Sequence, residues 1–130
     1  MDSSQRDRLA EVVATVWPAH VQAIKGSMTL ETLIEAESTG QEKTLFKQTK
    51  HGDSFDWIAS AEILLVGIKV SRSLIELYYF IKEKQGAAPS PEALKEEYSK
   101  TSPGELENKV IQRDLGQVVK AISDSIGLLN

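Results

Sequence analysis

Residues 55–84 constrain the fold more than any other part of the chain. The stretch contains no proline, and read at helical spacing its apolar residues fall on two adjoining stripes. The first holds Trp57, Ala61, Leu64, Ile68, Ser71, Ile75 and Tyr78, and the second holds Ile63, Val66, Val70, Leu74, Leu77 and Ile81. A helix with one apolar stripe can lie on a surface, whereas a helix with two must be covered around most of its circumference. The spacing therefore predicts one long central helix over 55–84, with the rest of the chain wrapped around it. Gly67 costs about 1 kcal/mol relative to alanine at a helix interior, so its presence points to a close approach by another element. Gly86 is the expected stop.

The third stripe of that helix is Glu62, Leu65, Lys69, Arg72, Glu76, Tyr79 and Glu83, and only this face need meet water. Arg72 and Glu76 stand one turn apart and are expected to pair for a few tenths of a kcal/mol.

The flanking segments supply the cover. Leu9, Val12, Val13, Val16, Trp17, Val21 and Ile24 recur at helical spacing over 4–25, with Ser3 or Ser4 as a cap. Pro18 has no N–H to give the preceding turn, so a kink near Trp17 or a break into two short helices is expected. Gly26 sits where a left-handed residue would end the element. Asp53 or Ser54 can cap the central helix. Ser90-Pro91 is a cap followed by proline at the first helical position, opening a short helix over 91–100 that buries Leu94 and Tyr98. Ser102-Pro103 with Glu105 repeats this grammar as a capping box for a last helix over 103–126. Ile111, Leu115, Val118, Ile122 and Ile126 form its apolar stripe, flanked by Val119.

Residues 27–50 are ambiguous. Met28, Leu30, Thr32, Ile34 and Ala36 alternate as a strand would, while Leu30, Leu33 and Ile34 also suit a helix. The density of threonine and the turn-like Ser38-Thr39-Gly40 favour a β-hairpin lying against a helix, because branched residues fit the pleated surface. The expected class is thus mostly α, a small helical domain around a long central helix with one β-hairpin (α+β) between the first and central helices. At 130 residues one core suffices, so 1–130 is read as a single domain.

Composition excludes several function classes. There is no cysteine, which removes disulfides, thiolate metal sites and cysteine nucleophiles and fits a reducing, cytoplasmic setting. The start, MDSSQRDRLAEVV, lacks the basic end and apolar run of a signal peptide. The most apolar window, Trp57 to Ile68, holds Glu62 and is followed by Lys69 and Arg72, too charged for a bilayer. A net charge of −4 argues against nucleic acid and anionic membranes and suits a basic protein partner. Lys43, Lys47, Lys50 and His51 beside Phe46 form a small basic-aromatic group, read as a solvated edge of the hairpin.

Catalytic signatures are absent. His20 and His51 are the only imidazoles, there is no Gly-x-Ser-x-Gly elbow and no phosphate-binding glycine loop. His51 with Asp53 and Asp56 is the nearest approach to an acid/base cluster, and turn and capping chemistry accounts for both aspartates. The acidic runs Glu31, Glu35, Glu37 and Glu92, Glu96, Glu97 read as solvated faces. No cofactor and no metal is expected.

Elimination leaves a non-catalytic protein–protein interaction module, an adaptor, accessory subunit or inhibitor-like partner, binding another protein or itself. Its expected surface is the third stripe of the central helix, Glu62, Leu65, Lys69, Arg72, Glu76 and Tyr79, with Tyr79 as anchor and Arg72 as a two-pronged hydrogen-bond donor. The alternative is a small-ligand-binding protein, or an enzyme without a recognisable motif, with Trp17, His20 and Tyr78 lining a pocket that the Pro18 kink opens between the first and central helices.

Overall fold

The computed structural model describes residues 3–48, 55–101 and 109–127. These form seven helices and, among the described residues, no strand: α1 (Ser3–Val16), α2 (Pro18–Ile24), α3 (Leu30–Thr39), α4 (Glu42–Gln48), α5 (Phe55–Gln85), α6 (Pro91–Thr101) and α7 (Lys109–Gly127).

Helix α5 is the axle. Every residue of its first stripe is buried, and in the second Val70, Leu74 and Ile81 are buried while Ile63, Val66 and Leu77 are half-buried. Five helices divide the covering: α1, α2, α3, α6 and α7 all pack on α5, and α1 also packs on α7. Gly86 closes α5 in the left-handed conformation (φ 74°), its N–H returning to the Lys82 carbonyl at 2.8 Å.

The first helical segment breaks rather than bends. Trp17 has φ −125° and ψ 58°, outside the helical region, as steric crowding by a following proline ring requires. Both sides of the break keep their hydrogen bonds: Trp17 N–H donates to the Val13 carbonyl at 2.9 Å and Val21 N–H to the Trp17 carbonyl at 3.1 Å. The expected left-handed glycine at 26 is not found. Helix α2 ends through Lys25 in the ordinary helical region, and Ser27 and Met28 N–H both donate to the Ile24 carbonyl, so Gly26 has no need of positive φ.

The β-hairpin expected over 27–50 is replaced by α3 and α4. Thr29 adopts an extended N-cap conformation and its Oγ1 accepts the Thr32 N–H at 3.1 Å, so a threonine counted towards a strand starts a helix. Leu30, Leu33 and Ile34 are buried at helical spacing against α5 and α1. Ser38 and Thr39 hydroxyls bond back to the Glu35 carbonyl, and Gly40, left-handed at φ 71°, caps the end. The edge-strand reading of Lys43 and Lys47 falls with the hairpin; both are exposed on α4, and Lys50 and His51 lie outside the described residues.

Further along, Ser90 Oγ accepts the Ala93 N–H at 3.2 Å and α6 buries Leu94 and Tyr98. In α7, Leu115, Val118, Val119, Ile122 and Ile126 are buried. The Ile111 side chain, the cap at Asp53 or Ser54 and the capping box at Ser102 to Glu105 lie outside the described set.

Candidate interaction surface

One contact organises the buried half of the molecule and decides which faces remain for function. The break at Trp17 swings its indole flat onto Gly67, where an added Cβ would stand 2.6 Å from Cζ3 and 2.8 Å from Cη2. Trp17 Nε1 donates to Asp114 Oδ2 at 2.8 Å, and Arg113 Nε donates to Oδ1 of the same carboxylate at 3.2 Å. The carboxylate is almost enclosed, at 6% residue exposure, so both donors act to satisfy it. Trp17 is thereby a structural clamp between α5 and α7.

This arrangement separates the three residues of the alternative ligand pocket. Trp17 occupies the level of Gly67; His20 Nδ1 pairs with Ser60 Oγ at 3.0 Å; Tyr78 is buried on α5 itself. Ser60 and Tyr78 are 18 residues apart on one helix, which at the helical rise is about 27 Å. No drug-sized ligand touches both ends of that span. The His51, Asp53 and Asp56 cluster lies outside the described side chains, and among the described ones no three His, Asp or Glu residues gather as a metal site. Nor is any described helix long and apolar enough to cross a membrane.

The third stripe of α5 behaves unevenly along its length. Near its start Glu62 is exposed, Leu65 is half-buried and packs on the core, and Lys69 is exposed. Arg72 is half-buried and reaches across to α3, where Nη1 donates to Glu37 Oε2; the Glu37 side chain is only 8% exposed. The pairing expected with Glu76 is thus replaced by a long-range one, because α3 as a helix brings a carboxylate over the α5 face. That leaves Glu76, one turn on, exposed and without an ion-pair partner among the described residues.

Beyond Arg72 the surface opens. Arg72, Glu76 and Tyr79 line a groove of about 320 Å³ together with Gln5, Leu9, Ile75, Phe80 and Glu83. Of the six expected interface residues the structure gathers these three and leaves Glu62, Leu65 and Lys69 outside. Tyr79 is 38% exposed, its ring held edge-on to Tyr78 with centroids 5.7 Å apart.

Phe80, absent from the sequence-based surface, is the most exposed large apolar side chain among the described residues, at 60%. It borders the first groove and also a second concavity lined by Ser73, Glu76, Leu77, Tyr98 and Thr101, so it stands as a ridge between two hollows. Lys84 Nζ lies over its ring, 5.7 Å from the centroid, a cation–π contact. The signal was present in the spacing: Ser73, Leu77, Phe80 and Lys84 form a fourth row between the second and third stripes, mixed in character and easily assigned to the covered side.

The face around this groove is of mixed character. It combines two partly exposed aromatic rings, an apolar floor from Leu9 and Ile75, and carboxylates at Glu76 and Glu83. No protein-family model, curated protein or solved structure matches this chain.

Proposed function

We propose that the chain is a non-catalytic protein–protein interaction module, acting in the cytoplasm as an adaptor, accessory subunit or inhibitor-like partner through the outer face of the C-terminal half of α5. The observation that carries this reading is Phe80. A phenyl ring more than half in water, on a ridge between two hollows and beside a second exposed aromatic, is the composition of an interface centre, where aromatic anchors dominate binding energy. Arg72 serves the fold through Glu37 and takes part at the rim, while Tyr79 and Phe80 are the anchors.

A photo-crosslinking residue placed at position 80 tests the reading in cells expressing the protein, with the same residue at the exposed Gln117 of α7 as control. The expected result is a protein adduct from position 80 and none from 117. Phe80→Asp should then weaken the identified association at least about tenfold while leaving the helical circular dichroism unchanged, because an exposed site contributes little to stability. No adduct above the control, or undiminished binding by Phe80→Asp, refutes the proposal.

A further inference from the structure

We infer that the partner this face fits is a second copy of the same chain, docked with its α5 antiparallel to the first and with Phe80 on the two-fold axis. The inference rests on the interaction-module reading and adds to it the identity of the partner.

The argument starts from three residues spaced four apart on the exposed face: Glu76, Phe80 and Lys84. The helical rise places Glu76 and Lys84 about 6 Å to either side of Phe80 along the axis. An acid before the ring and a base after it, equally spaced, make a row that is complementary to its own reverse. When two copies cross antiparallel at Phe80, Glu76 of each stands level with Lys84 of the other, and two ion pairs flank the two Phe80 rings, which lie side by side, each in a hollow beside the other. A parallel arrangement would set Glu76 against Glu76 and Lys84 against Lys84.

Three further observations support this occupant. Neither Glu76 nor Lys84 has a carboxylate–cation partner among the described residues, and the one contact Lys84 makes there, over the Phe80 ring, keeps its ammonium at the crossing point. The hollows beside Phe80 supply the socket for the ring that protrudes. A cavity of roughly 150 Å³ accepts a benzene-sized group, and the groove holds about 320 Å³. A surface carrying both a knob and a hollow large enough to receive it can be self-complementary, as an isologous two-fold interface requires. The charged residues at the crossing are of both signs, so the contact does not repel itself despite a net charge of −4. A crossing limited to the last three turns of α5 and its two hollows lies at the low end of interface size, which makes the dimer weak and dependent on concentration.

Sedimentation and light scattering of the purified chain from micromolar to millimolar concentration provide the test. The wild type should show a reversible monomer–dimer equilibrium. Glu76→Lys and Lys84→Glu should each weaken it roughly tenfold, since two favourable pairs become two repulsive ones. Phe80→Asp should leave monomer alone. The double swap Glu76→Lys/Lys84→Glu should restore association, and an equal mixture of the two single variants should form a heterodimer, because each then meets its opposite charge. All three positions are exposed, so retained circular dichroism separates loss of association from loss of fold. A wild type that stays monomeric throughout, or single reversals that leave dimerisation unchanged, overturns the inference. If the chain is monomeric yet position 80 crosslinks to a different protein, the second copy is wrong while the interaction module stands.

Discussion

Replacing Gly67 with alanine inverts a familiar rule, and the size of the inversion can be worked from the contacts. In a helix interior alanine is favoured over glycine by about 1 kcal/mol. At position 67 the new methyl would meet Trp17 Cζ3 at 2.6 Å, Cη2 at 2.8 Å and Cε3 at 3.0 Å. Carbon atoms rest at about 3.5 Å or more, so the ring must withdraw by about 1 Å. It is not free to do so: Nε1 is held at 2.8 Å by Asp114 and the indole is 3% exposed. Overpacking of this kind costs about 1–3 kcal/mol. Set against the gain in propensity of about 1 kcal/mol, Gly67→Ala should be destabilising by up to about 2 kcal/mol. Gly116 provides the control within the same molecule. It is exposed on α7 with nothing within 4 Å of an added Cβ, so Gly116→Ala should stabilise by up to about 1 kcal/mol. Each kcal/mol corresponds to about 3–5 °C in Tm for a domain of this size. Thermal unfolding followed by circular dichroism should therefore move the two variants in opposite directions. Adding Trp17→Leu to Gly67→Ala should remove part of the penalty relative to the sum of the single changes. Two upward shifts, or strict additivity of Trp17 and Gly67, would show that the indole does not enforce glycine at that site.

Two other predictions concern buried polar pairs. Trp17→Phe removes the donor to Asp114 Oδ2 and leaves a nearly enclosed carboxylate oxygen unsatisfied, for a loss of about 2–3 kcal/mol in chemical denaturation, whereas Asp114→Asn keeps an acceptor for the indole and should cost less; equal losses would contradict this account. Arg72→Met leaves Glu37, at 8% side-chain exposure, unpaired and should cost about 2 kcal/mol, and the added change Glu37→Met should recover more than half of it. A double variant as unstable as the sum of its parts would show that the two side chains act independently.

The central helix was legible because burial leaves a periodic record. All seven residues of the first stripe, Trp57 to Tyr78, are buried, and Gly67 carries the close contact that its cost implied. Proline and serine grammar was equally direct at Pro18 and at Ser90-Pro91, where local geometry alone decides the outcome. The segment 30–48 was misread because threonine and serine have two uses. Branching at Cβ favours strands, but their hydroxyls also satisfy the ends of helices, and Thr29, Ser38 and Thr39 all do the latter. Which use prevails depends on whether Leu30, Leu33 and Ile34 find α5 beside them, a tertiary fact. The surface was legible only in part for the same reason. Tyr79 and Glu76 could be placed on an outer face by register, but whether Phe80 is covered depends on where α1 and α6 end relative to α5, and whether Arg72 is available depends on Glu37, 35 positions away.

The bond from Trp17 to Asp114 spans 97 positions, and that from Arg8 to the Ser125 carbonyl spans 117. A ribosome delivers the two halves of each bond in order, so α1 and α2 are complete well before α7 is made. During that interval the indole N–H and the side of α1 destined for α7 lack their partner. The enclosure of the Trp17 indole and of the facing sides of α1 and α5 is therefore completed only when α7 docks.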